Sequence, residues 1–206
     1  MKFLLNLSVA LCILLSAATA SHAQKKNPKT TGPGVSDYYP LAKNTKWEYK
    51  TSEGKVTIQV MKWEEIGGKM CAQLVATDSD NKKTTEYIKI TSDGIYRVQA
   101  SGQNISPPLR FLMLPANKDD EWKVDSKVLG KTLAGTFKTS VVGELTVLGT
   151  KYENVISSRS DDFTVDGQKV SHTYYFAKGV GIVKQVVTFA GQEITLELEK
   201  FTPAAN

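Results

Sequence analysis

From Lys46 onward the apolar residues of this chain recur at every second position. In KWEYK, Trp47 and Tyr49 fall on one side and Lys46, Glu48 and Lys50 on the other. In KVTIQVMKW, Val56, Ile58 and Val60 alternate with Thr57 and Gln59. In QEITLELEKF, Ile194, Leu196 and Leu198 alternate with Glu193, Thr195, Glu197 and Glu199. Successive strand side chains point to opposite faces, so this period builds strands with one buried and one wetted face, as in antiparallel sheets. A helix needs apolar positions three and four apart, and no segment of helical length shows them clearly.

Turn signals punctuate the strands. Glu53-Gly54, Gly67-Gly68, Asp93-Gly94, Asp166-Gly167 and Ala190-Gly191 each supply a residue that tolerates positive φ. FTV-DG-QKV is the clearest hairpin, with Asp166 and Gly167 as the turn between two strand-like flanks. Two regions interrupt the alternation. Residues 106–122, SPPLRFLMLPANKDDEW, are a proline-bracketed apolar run followed by an acidic loop, and residues 141–158 carry Gly143 and Gly149, which mark bulges or bends. The pattern predicts an all-β domain over residues 37–203, a single antiparallel meander of about ten strands closing into a barrel or half-barrel. At most a short helical turn is expected near Pro40 or Pro115.

The N-terminal segment differs in kind. Lys2 precedes a mostly apolar run, Phe3–Ser16, too short to span a bilayer comfortably, and Ser21-His22-Ala23 fits a signal-peptidase site. Residues 1–23 therefore read as a signal peptide cut after Ala23, with Ala18-Thr19-Ala20 as the alternative site. The reading places the protein in the periplasm or outside the cell. Cys12 follows Leu11 inside the apolar run, which argues against a lipid anchor there. Residues 24–36, QKKNPKTTGPGVS, have one aliphatic side chain and read as a flexible leader. No later apolar run is long enough to span a membrane.

Loss of Lys2 takes the formal net charge from +5 to +4. The cations are mostly scattered lysines, with Arg97, Arg110 and Arg159 the arginines. Such a surface serves solubility and edge protection; nucleic-acid recognition favours arginine forks and clustered patches. The processed chain keeps one histidine, His172, which excludes multi-histidine metal sites. It has no CxxC, GxSxG or P-loop motif. In VSHTYYFA, His172 shares a strand face with Val170, Tyr174 and Phe176 and reads as a wall residue. Cys71 remains as a single thiol in KMCAQLVA, expected to be buried and inert. The acids of Asp78–Asn81, Asp119–Glu121 and Asp161-Asp162 lack the spacing of a calcium loop and read as solvated turn residues. No catalytic residue, metal or cofactor is assigned.

The aromatic set is more informative. Trp47, Trp63, Trp122 and Tyr174 fall on or beside predicted strands, where they either fill a core or line a hydrophobic cavity. In PPLRFLMLP, Phe111 shares a face with Leu109 and Met113, and Arg110 faces the other way. That run is either a strand buried on both faces or a lip over a cavity, with Arg110 meeting an anionic head group. The candidate ligand-binding set is Trp47, Trp63, Arg110, Phe111, Trp122 and Tyr174. Gly179-Val180-Gly181 is followed by the strand-like IVKQVVTF, so the helix N-terminus of a phosphate-binding loop is absent. Gly179 and Gly181, like Asp166 and Gly167, are expected to reverse the chain between strands.

Several stretches taken together resemble a group of secreted bacterial proteins of unknown function called TapB-like. They are the opening YYPLAKNTKWEYK, then SDGIYRV, PPLRFLMLP with DDEW, VGELTVLGTKYENV and finally YYFAKGVGIVK. The resemblance covers residues 38–201. Tyr175 stands where the group often has tryptophan, Lys178 where it often has proline, and Leu148-Gly149 where it has Pro-Ala-Gly. The resemblance implies an antiparallel β barrel or half-barrel in an exported protein and supplies no catalytic residues. The expected function is an exported, non-enzymatic domain that binds an apolar or lipid-like small molecule. The alternative is a structural or assembly component of the cell envelope with a protein partner. A carboxylate hydrolase is a third class, but no acid sits in an apolar context that would raise its pKa.

Overall fold

The computed structural model describes residues 32–205; the signal segment and leader residues 24–31 lie outside the described residues. The described chain is built from strands: β1 (Lys46–Thr51), β2 (Gly54–Ile66), β3 (Lys69–Asp78), β4 (Lys83–Thr91), β5 (Gly94–Ala100), β6 (Gln103–Met113), β7 (Glu121–Val128), β8 (Lys131–Val147), β9 (Thr150–Ser160), β10 (Thr164–Val165), β11 (Gln168–Ala177), β12 (Gly181–Phe189) and β13 (Gln192–Thr202). Each pairs antiparallel with its sequence neighbour from β1 to β9, β9 pairs with β11, and β13 returns to β1. The sheet is an all-β meander that closes into a barrel of 12 strands, with β10 as an extra piece. Closure removes the exposed sheet edges that would otherwise template aggregation.

The short β10 has a simple origin. It pairs with β8 through Thr164 and Ala134 and with β11 through Thr164 and Lys169, the two strands that β9 joins further along. β9 and β10 are thus one strand position interrupted at residues 161–163. Asp162 Oδ1 holds the break by accepting from Thr136 N at 2.8 Å and Ser160 Oγ at 2.9 Å. Phe163 turns inward there and is fully buried. Asp161 is paired with Arg159, and Asp78 Oδ1 accepts from the Asp80 and Lys82 amides, so these acids serve turns and surface pairs.

Thirteen strands replace the expected ten or so. All five turn signals read from sequence lie at hairpins, and Asp166-Gly167 joins Val165 to Gln168 with φ of 54° and 79°. Three further pairs, Ser101-Gly102, Leu129-Gly130 and Leu148-Gly149, have the same two positive φ values and make the additional hairpins. Gly143 sits at a register shift in β8, whereas Gly149 is in a turn. The expected helical turn near Pro40 or Pro115 is not found: no helix occurs among the described residues. The segment 37–42 instead runs over one barrel end, and Tyr39 and Leu41 are buried there.

One joint in the wall is weak. β6 and β7 share a single register pair, Ser106 with Lys127. Pro107 and Pro108 bring no N–H to a ladder. Beyond them the Trp122 indole N–H donates to the Arg110 carbonyl at 2.8 Å and substitutes for backbone pairing. On the outer face, Cys71 is covered by Tyr87 and Val98, and burial pushes its thiol up to about 11. A thiol so placed is inert at neutral pH.

Candidate functional site

The barrel interior is filled by a continuous series of rings. Tyr39 stacks on Trp47 at 5.5 Å and meets Phe111 edge-on at 6.0 Å. Phe111 contacts Tyr174 at 5.6 Å, and Tyr174 lies 4.1 Å from His172. The series continues from His172 to Phe137 and on to Trp122 and Phe163. Each contact adds about 0.5–1.5 kcal/mol beyond the area it buries. Of the six candidate residues, Trp47, Phe111, Trp122 and Tyr174 belong to this core. Arg110 and Trp63 do not. Arg110 is half-buried outside, over the faces of Tyr96 and Trp122 and paired to Asp93. Trp63 lies at one barrel end, 37% exposed, with its indole N–H donating to Leu41 O at 2.8 Å.

A polar stripe crosses the interior. The wall of β8, β9, β11 and β12 carries Thr139, Ser158, Ser160, His172 and Gln185, and β4 and β5 supply Glu86 and Arg97. Arg97 Nε donates to Glu86 Oε2 in a buried ion pair, and its guanidinium lies 5.6 Å from the Phe111 ring. The Gln185 amide nitrogen donates to His172 Nε2 at 2.9 Å, which leaves the ring proton on Nδ1, a buried atom without an acceptor. Thr139 Oγ1 and Ser158 Oγ, cross-strand partners, are likewise buried and unpartnered. Burial and the Arg97 charge push the His172 pKa down to about 3, so the imidazole is neutral at physiological pH. Beside the ion pair is a cavity of about 40 Å³, lined by Tyr39, Glu86, Arg97, Phe111, Tyr174 and Gln185 among others. That is room for about one or two waters, not for an acyl chain.

A larger space lies outside, at the barrel end. Residues 32–42 run beside the ends of β2, β3 and β4 and enclose a cleft of about 650 Å³. Its walls are Tyr39, Leu41, Trp63, Met70 and Ile90, with Lys69 and Lys89 also lining it. Backbone and side-chain hydrogen bonds hold the strap and the residues just after it in place. Ile90 N donates to Pro33 O at 2.7 Å, Asn44 N donates to Val60 O at 2.8 Å, and Trp63 ties down Leu41. A Cβ at Gly34 would lie 2.3 Å from Ile90 O, so only glycine allows this approach. Tyr39 lines both spaces. Lys43 Nζ sits 5.1 Å over the Trp63 ring, and Lys89 Nζ lies 5.0 Å from the Tyr96 ring.

Trp63 alone among the six sequence candidates lines the cleft. Tyr39, Leu41, Lys69, Met70, Lys89 and Ile90 were not singled out as ligand-binding residues. Tyr39 and Leu41 do stand in the YYPL stretch. That motif carries no sign that its residues cap a barrel and wall a cleft.

The turn after β11 completes the same end. Gly179 N donates to Asp37 O at 2.6 Å, and Trp47 Nε1 donates to Val180 O at 2.7 Å. The opening YYPL and the closing GVG, remote in sequence, thus lock against each other.

No protein-family model and no curated protein matches the chain. Two solved structures are similar. One is a protein described as exported, with a YmcC-like fold, from Bacteroides fragilis, at 9% identity and a TM-score of 0.46. The other is described as a lipoprotein from Parabacteroides distasonis, at 13% identity and a TM-score of 0.39. Each alignment covers 80% of this chain and 98% of the other.

Proposed function

We propose that the protein acts outside the cytoplasm as a non-enzymatic binding protein of the TapB-like kind, holding an apolar molecule in the cleft beneath residues 32–42. One observation carries the reading. The cleft offers about 650 Å³ of mainly apolar space, whereas the interior offers about 40 Å³. Small-molecule sites fall at about 300–1,000 Å³. Trp63, Met70 and Ile90 give such a molecule a hydrophobic wall, and the strap excludes water from one side. The leader and signal sequence agree with work in the envelope.

The test is direct. The purified protein is extracted with organic solvent for mass spectrometry and titrated with an environment-sensitive apolar dye. The expected result is saturable dye binding that Ala42→Trp abolishes, since exposed Ala42 lines the cleft and an indole there fills it. Absence of dye binding, or binding indifferent to Ala42→Trp, removes this reading.

A second reading is assembly with an envelope protein. It is favoured by Val141, Val142 and Leu148 on the β8–β9 hairpin, which are 59%, 36% and 43% exposed. Crosslinking from these positions in intact cells tests it, and recovery of the monomer alone counts against it.

A further inference from the structure

The charges around the cleft narrow the class of molecule. Among the described residues, those lining the space include two cations, Lys69 and Lys89, and no carboxylate. Lys43 stands close by, over the Trp63 ring. None of these three lysines forms an ion pair with a described residue, although Lys46, Lys55, Lys62, Lys138, Lys151, Lys178 and Lys184 all do. Other lysines elsewhere on the surface, Lys50 and Lys83 among them, are unpaired too, but at this apolar opening Lys69 and Lys89 stand with no lining carboxylate to offset them. A single-sign rim over an apolar floor suits a molecule with an anionic head and a hydrocarbon tail.

We infer that the cleft takes a single-chain anionic amphiphile, of the fatty-acid type, as a free monomer. The tail lies along Trp63, Met70 and Ile90, and the head lies between Lys69 and Lys89. This rests on the cleft reading above and adds the charge of the ligand to it. The free monomer is favoured over a membrane surface because the strap of residues 32–42 walls the space, leaving room for one chain and no flat apolar face to lay on a bilayer.

Two homologous series measured by calorimetry on the purified protein decide it: octanoate, decanoate and dodecanoate against the matching 1-alkanols. Burial of each methylene tightens binding about fourfold, so both series should climb with length. Each lysine pairing near the surface contributes up to about fivefold, so dodecanoate should bind about tenfold more tightly than 1-dodecanol. That preference should shrink in 0.5 M salt, given a screening length of about 4 Å. In the Lys69→Gln/Lys89→Gln variant the preference should vanish while 1-dodecanol binds as before. These exposed or half-exposed side chains are not in the core, and a far-ultraviolet spectrum checks the fold. Equal binding of dodecanoate and 1-dodecanol overturns the anionic assignment and leaves the apolar cleft standing. Failure of both series overturns the cleft reading itself. Sedimentation with vesicles of anionic phospholipid, without binding of monomers, overturns the inference in favour of a membrane surface.

Discussion

Gly181 offers a sharp test of how the two ends of the domain are locked. Its φ is +102°, and an added Cβ would lie 3.1 Å from Tyr39 Cδ2 and 3.2 Å from Trp47 Nε1. Gly179, in the same turn, has φ of +76°, but a Cβ there meets nothing within 4 Å. Alanine at either position incurs about 1 kcal/mol or more for the positive φ. At Gly181 it also overpacks a site that cannot give way. The Trp47 ring is fixed by its bond to Val180 O at 2.7 Å, and Tyr39 is stacked on that ring at 5.5 Å. Overpacking of this kind costs about 1–3 kcal/mol. Gly181→Ala should therefore destabilise by about 3 kcal/mol in total, against about 1 kcal/mol for Gly179→Ala. A domain of this size loses about 2–4 °C of Tm per kcal/mol, so the expected drops are about 9 °C and about 3 °C. Thermal denaturation followed by circular dichroism reads both. A double-mutant cycle with Tyr39→Ala should show that removing the tyrosine recovers about 1 kcal/mol of the Gly181→Ala loss. Equal Tm drops for the two glycine variants, or zero coupling to Tyr39, would refute the lock.

Three further outcomes are expected. Native His172 stays neutral to about pH 3 while the unfolded imidazole titrates near 6.5, so stability is complete above about pH 6.5 and falls as the unfolded state takes up the proton. About 2 kcal/mol should be lost between pH 6.5 and 5, and urea denaturation of His172→Gln should show that slope removed. Arg97→Met, which strands the buried Glu86 carboxylate, should cost about 3–5 kcal/mol; the double variant Glu86→Leu/Arg97→Met should recover most of it, and a double variant no more stable than the single one contradicts the pairing. Trp122→Phe keeps the stack on Phe137 but loses the N–H to Arg110 O, so it should cost about 1 kcal/mol and speed amide exchange chiefly in β6 and β7; a uniform change across the barrel would count against a weak seam.

The strands and turns of this protein are written locally. Period-two alternation at Trp47 and Tyr49, or at Ile194, Leu196 and Leu198, sets the face each residue presents, and an X-Gly pair with two positive φ values sets several of the tight hairpins, Asp166-Gly167 and Ala190-Gly191 among them. Ser101-Gly102 and Leu129-Gly130 carried that same signal and account for strands the alternation by itself left uncounted. Antiparallel meander pairing follows, because tight turns bring sequence neighbours side by side. The interior was decided elsewhere. Alternation shows that Tyr174 and Phe111 face inward, but whether their rings meet depends on barrel width, which β9–β11 pairing and closure of β13 on β1 determine. The same limit applies to Arg97 and Glu86, whose pairing was invisible, and to Arg110, which cross-strand register puts over Tyr96 and Trp122 instead of at the cleft. The cleft lies furthest from local sequence. It exists because a strap with no periodic pattern crosses the ends of three strands, held by Pro33, Leu41 and Asn44 backbone bonds to residues far along the chain. Periodicity reports which face a side chain occupies; only the closed three-dimensional arrangement decides which faces enclose a space.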